Sequence, residues 1–293
     1  MKKKIILFFI VLLNLNFLLS HSLSGMDFEE WHSKLEITSD NKNYFDGKNF
    51  FFGIKIVLNS GWKTYWKNPG DSGASISIDW LDKQNINSFE VLYPYPESFL
   101  DHEVITIGYD QSVLFPIKLE LIDDKNAVEG LMKINYLVCK EICIPVSLEK
   151  KINVSNVRIL NDKKTELFET ISNLPSINKN FFKISDIFKS KPNKFNFTVN
   201  SLKDSKVDNL SVFAHSSQDH LKVETKTHGK RTKVSVSSDN KIITPFSNIQ
   251  IVVSDGFFFE QFNINEKDIK HDNYILKMII FALLGGFILN FMP

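Results

Sequence analysis

Leu131-Met-Lys-Ile-Asn-Tyr-Leu-Val-Cys-Lys-Glu-Ile-Cys-Ile-Pro-Val-Ser-Leu-Glu-Lys-Lys-Ile-Asn-Val154 alternates apolar and polar residues on both sides of a short interruption. A period of two marks a half-buried β-strand, and two such runs joined by a few residues read as a hairpin. Cys139 then ends the first strand and Cys143 begins the second, with Lys140, Glu141 and Ile142 as the loop. Across a hairpin mouth two Cβ atoms can approach to the roughly 3.8 Å that a disulfide needs. An α-helical i,i+4 placement would hold the sulfurs too far apart, and Pro145 discourages helix continuation. These are the two cysteines of a 293-residue chain.

The same period extends outward. Phe50, Phe52, Ile54, Ile56 and Leu58 alternate with Phe51, Gly53, Lys55 and Val57, and Asn59-Ser-Gly61 supplies turn chemistry. Further short runs lie at 75–80, 89–92, 104–108 and 112–121, where Pro116 predicts an edge or a bulge. Leu160 to Leu174 differs: Leu160, Leu167, Phe168, Ile171 and Leu174 share a helical face, Asp162 is a candidate cap, and Pro175 a stop. Strand signals resume at 195–199, 210–214, 221–227, 232–237, 248–254 and 257–264. Many short strands separated by turns predict an all-β chain of two immunoglobulin-like β-sandwiches. The expected division is a redox sandwich at 26–157, a helical and polar linker at 158–192, and a second, smaller sandwich at 193–266.

Both ends are apolar. Lys2, Lys3 and Lys4 precede a hydrophobic run to Leu19 and small residues around Ser20–Ser24, the pattern of a signal peptide over 1–24. Export would place the cysteines in an oxidising compartment, where a disulfide persists. Residues 274–293 have about the length of one membrane span. The glycine pair Gly285-Gly286 and the polar Asn290 suit the first helix of a bundle better than a lone anchor. A formal net charge of +1 argues against a nucleic-acid partner.

Three chemistries compete for the cysteine pair. As a static staple, a ring of about five residues contributes about 2 kcal/mol, against about 4.7 for a ring of about 100. As a metal site, two thiolates could hold Cu(I) with His102 or Met132, although no second Cys pair is present and Met132 sits where a core residue is expected. As an exchange site, a small ring at a hairpin mouth is open to attack by a thiolate. Lys140 would favour the Cys139 or Cys143 thiolate and Glu141 would oppose it, so local charge does not decide.

Gly61-Trp-Lys-Thr-Tyr-Trp-Lys-Asn-Pro-Gly-Asp-Ser-Gly73, Ile107-Gly-Tyr109, Leu114-Phe-Pro116 and Tyr136–Pro145 together resemble the amino-terminal periplasmic region of the DsbD family of thiol:disulfide interchange proteins. The likeness is nearest to the branch named for suppression of copper sensitivity (ScsB-like). It spans about residues 28 to 155, and the second sandwich only loosely. Ala282–Pro293 resembles the start of that family's membrane domain, where Met-Pro is commonly followed by a redox cysteine. The resemblance implies protein-disulfide reductase activity with no cofactor, using Cys139 and Cys143. Electrons would come from a membrane domain through a thioredoxin-like domain, in the same or a companion chain, and go to periplasmic thiol-disulfide proteins. It implies tethering to a bacterial inner membrane, with Cys143 forming the mixed disulfide and Cys139 resolving it. Trp62, Tyr65, Trp66 and Tyr136 are candidates for shielding or lining the sulfurs, or else plain core aromatics. The alternative is a copper-handling or protein-interaction sandwich with an inert disulfide.

Overall fold

The computed structural model describes residues 32–38, 42–101, 103–155, 162–202, 210–238, 248–271 and 282–284. The expected signal peptide, His102 and nearly all of the apolar tail lie outside these residues. Among the described residues no helix is long and apolar enough to cross a membrane.

Two antiparallel sheets enclose the first core. One runs β1 (Ser33–Ile37), β3 (Asn49–Leu58), β9 (Ser112–Leu121) and β6 (Ile86–Val91), with the two-residue β2 (Tyr44–Phe45) against β3. The other runs β11 (Cys143–Val154), β10 (Val128–Cys139), β4 (Lys63–Gly70), β8 (Val104–Asp110) and β7 (Glu97–Asp101), with β5 (Ser77–Gln84) also on β10. Phe50, Phe52, Ile54 and Ile56 from β3 meet Met132, Ile134 and Val138 from β10, all fully buried. Each such side chain contributes about 1.5–3 kcal/mol by leaving water. The alternation in β3 is broken at Phe51, buried on the opposite face, because Leu167 covers it beside Leu114.

Leu167 belongs to α1 (Glu166–Ser172), shorter than the sequence pattern suggests. Thr165 caps it by accepting from the Phe168 N–H at 3.2 Å, while Asp162 accepts from Lys164 instead. Pro116 is not on an edge, since β9 lies between β3 and β6. It faces Gly53, whose N–H and C=O both turn to Thr38, so the Gly53–Pro116 pair exchanges no hydrogen bond and the missing N–H is tolerated.

The second half pairs a five-stranded sheet with a three-stranded one. The larger is β15 (Leu221–His228), β16 (Arg231–Ser238), β13 (Lys194–Ser201), β12 (Phe182–Lys191) and β19 (Lys270–His271). The smaller is β14 (Ser211–His215), β17 (Ile249–Ser254) and β18 (Phe259–Ile264). Phe195, Phe197, Val234 and Val236 pack on Ile251 and Val253. Residues 182–191, expected in the polar linker, are therefore a strand. Its start is held by Glu260, whose buried carboxylate accepts from the N–H groups of Asn180, Phe181 and Phe182 at 3.0, 2.8 and 2.9 Å.

The far end of β4 docks on this second half. Trp66, 1% exposed, lies 5.9 Å from the Phe213 ring and 6.3 Å from His215. Asn68 donates to the carbonyls of Ala214 and Leu221 at 2.7 and 3.0 Å. His220 hydrogen-bonds the Gly70 carbonyl, and Lys222 bridges to Asp71 at 3.3 Å.

Candidate redox site

Cys139 and Cys143 form the last register pair of the β10–β11 hairpin, and they are joined by a disulfide with Cα atoms 4.1 Å apart. The pair lies on the outward face of its sheet, because Lys133, Asn135 and Leu137 precede Cys139 on that face while Ile134, Tyr136 and Val138 point into the core. The two sulfurs are unequal in access. Cys139 is only 5% exposed, whereas Cys143 and the loop residue Ile142 are open to solvent.

β4 runs beside Cys139. Lys63 is its register partner there, so the odd-numbered residues of that strand share the cysteine face. Tyr65, two residues on, brings its hydroxyl to 3.8 Å from Cys143 Sγ. Burial, and then the Asp101 carboxylate, push the Tyr65 phenol above its ordinary value, so it remains a proton donor. Lys63 is held in an ion pair with Asp101, and its ammonium lies 4.8 Å from the centroid of the Phe99 ring. The β7–β8 hairpin thus leans over the strand carrying Tyr65. Gly73, at φ +110°, packs on the other side, where an added Cβ would fall 2.3 Å from the ring.

Of the four aromatic candidates, Tyr65 is brought to the sulfurs. Trp62 packs on the core with its ring 5.5 Å from His32. Trp66 faces the second half of the molecule, as described above. Tyr136 points inward, where its hydroxyl meets Ser33 Oγ at 3.1 Å. Met132 is buried core. Lys63, Phe99 and Asp101 were not singled out by sequence, because only strand register reveals them as neighbours of the cysteines.

The chemistry available is that of a cystine with one sulfur exposed. A thiolate arriving from solvent reaches Cys143 Sγ and makes Cys139 the leaving group; Tyr65 offers a hydroxyl to the Cys143 sulfur whenever it carries charge. No group of His, Cys, Asp and Glu side chains that could hold a metal ion occurs among the described residues.

Fold and site define a class: an antiparallel immunoglobulin-like sandwich whose reactive feature is a hairpin disulfide accessible from one side. Residues 36–154 match the family described as thiol:disulfide interchange protein DsbD, N-terminal. This segment is thus a DsbD-type interchange domain bearing a Cys139–Cys143 disulfide. Among solved structures, the N-terminal periplasmic domain of ScsB from Proteus mirabilis superposes with a TM-score of 0.62 at 19% identity, over 83% of this chain and 96% of that one. It shows that both sandwiches belong to one known architecture. Domains 5–6 of the S-layer protein SbsC align over 82% of this chain and 100% of that one at 10% identity, but with a TM-score of 0.22. No curated protein matches the chain in sequence.

Proposed function

We propose that the chain is the exported, membrane-tethered exchange module of a protein-disulfide reductase, passing electron pairs to periplasmic protein disulfides through Cys139 and Cys143. In the reduced module, the Cys143 thiolate attacks a partner disulfide, forming a mixed disulfide and expelling one partner thiolate. The Cys139 thiolate then attacks Cys143 Sγ, which releases the partner as a dithiol and leaves the module oxidised. Two electrons and two protons move in each cycle. A dithiol donor, by the family reading a thioredoxin-like domain served by a membrane domain, restores the module through the same steps in reverse.

The observation carrying this reading is the unequal access of the two sulfurs. Attack requires an exposed sulfur, and resolution requires a second sulfur close by and shielded from other thiols. Cys143 fits the first role and Cys139 the second. On this view the sandwich expected at 26–157 carries the chemistry, and the segment from 274 holds it at the inner membrane. The test is to compare Cys139→Ala with Cys143→Ala in cells. Mixed disulfides with periplasmic proteins should accumulate on Cys139→Ala and be absent from Cys143→Ala; the opposite pattern refutes the assignment. Equal absence from both would leave the disulfide without an exchange role.

A further inference from the structure

Outside the redox site, cationic side chains gather on the outer face of the β15-β16-β13-β12-β19 sheet. Strand register assembles it in rows. Lys183, Asn200, Arg231 and His228 form one row across four strands, and Ser185, Thr198, Lys233 and Lys226 form the next. Lys270 joins at the edge, opposite Phe188 on β12. These side chains share a face because the alternate residues, Phe195, Phe197, Val199, Val234 and Val236, fill the core.

Lys194 on this face is bound to Glu224 at 3.1 Å, and Lys222 reaches Asp71 on the first sandwich. Setting these aside, Lys183, Lys226, Arg231, Lys233 and Lys270 stand exposed, and Asp186 and Glu224 are the acidic residues among the described positions of the face. A chain of net charge +1 thus concentrates cations on one side of one sheet. The face is also indented. A hollow of about 470 Å³ takes His228, Arg231 and Lys233 from β15 and β16, with Ser185, Asp186, Thr198 and Asn200 opposite. Arg231 and Lys233 are cations that can bind a phosphate oxygen there, while Ser185 donates to Asp186 at 3.2 Å and accepts from Asn200 at 3.3 Å on the opposite side.

What such a face meets is indicated by where it lies in the chain. β19 ends at His271, and the apolar stretch begins at Tyr274. Three residues span at most about 11 Å, so an anchor there keeps the edge of this sheet beside the bilayer. We infer that the basic face rests on anionic phospholipid headgroups of the membrane that holds the chain, so that the second sandwich is a membrane-facing base and the first is the redox head. The inference depends on the membrane anchoring proposed above. Close to an anionic surface each Lys or Arg strengthens attachment about fivefold, and the effect fades within a Debye length of about 10 Å at 0.1 M salt.

The full chain is mixed with vesicles of phosphatidylcholine, or of phosphatidylcholine with roughly a third phosphatidylglycerol. Flotation reports anchoring. A water-soluble acylating reagent with mass spectrometry reports access to Lys226 and Lys233, with Lys83 and Lys125 of the first sandwich as internal references. The expected result is flotation with both vesicles, and acylation of Lys226 and Lys233 slowed about fivefold on the anionic ones alone. About 0.5 M salt should restore it, and Arg231→Glu with Lys270→Glu should abolish the difference. Flotation with both vesicles without lipid-dependent protection overturns the inference. Failure to float on phosphatidylcholine refutes the anchoring; salt-sensitive flotation on the anionic vesicles would then still support the basic face. Protection by inorganic phosphate alone, or by polyglutamate and not by vesicles, assigns the face to a small anion or an acidic protein and overturns the lipid reading.

Discussion

Replacing Tyr65 with Phe removes one hydroxyl from beside the exposed sulfur and leaves the ring that fills the space. Hydrogen bonds to a charged group contribute about 1.5–3 kcal/mol, and the 3.8 Å separation puts this one at the weak end. About 1.4 kcal/mol corresponds to about one pKa unit. The bond favours the charged form of Cys143, so losing it raises the thiol pKa. At pH 7 the thiolate fraction then falls about tenfold, while the more basic thiolate is intrinsically about threefold more reactive. Attack should slow about threefold at pH 7 and quicken about threefold above pH 10, so the two pH–rate curves cross. The assay is iodoacetamide alkylation of the Cys139→Ala protein against its Tyr65→Phe partner across pH, in which Cys143 is the one thiol. Superimposable profiles, or a uniform scaling with no shift along the pH axis, would refute the role given to Tyr65.

Gly73→Ala should reproduce part of that shift, since its Cβ would press on the Tyr65 ring; a normal alkylation profile would show that the ring has room to yield. Trp66→Ala should cost about 3–5 kcal/mol in urea unfolding through the cavity left between the halves, without changing the Cys143 alkylation pKa. Glu260→Ala should cost about 3 kcal/mol or more, because three N–H groups lose their acceptor. His215 is held at about 4 by burial, and secondarily by the Lys67 ammonium, against an ordinary 6.5. The unfolded chain therefore takes up this proton first as pH falls. The stability tied to His215 is full above about 6.5, declines toward about 4 and is flat below, by roughly 1–2 kcal/mol after solvent screening; His215→Asn should flatten that part of the profile.

The period-two alternation shows the sheets well, and it places the disulfide at the hairpin mouth where the structure has it. It also contained a correction that the aromatic candidates missed. Tyr136 lies three residues before Cys139 on one strand, so parity alone turns it to the opposite face, and the structure puts it on Ser33. Trp62 and Trp66 have the wrong parity relative to Tyr65, but this could be used only once β4 was known to pair with β10 at Lys63 and Cys139. That register joins residues far apart in sequence, which local pattern does not encode. The same non-local pairing hid Phe99 and Asp101, and it hid β12, whose Lys- and Ser-rich sequence reads as linker because its outer face is polar. The failure and the success share one cause. A strand shows its two faces in sequence, while the neighbour each face meets is a property of the sheet. β4 illustrates what that costs: Tyr65 belongs to the sulfurs and Trp66 to the second sandwich, so adjacent residues of one strand tie the cystine to the second half of the molecule.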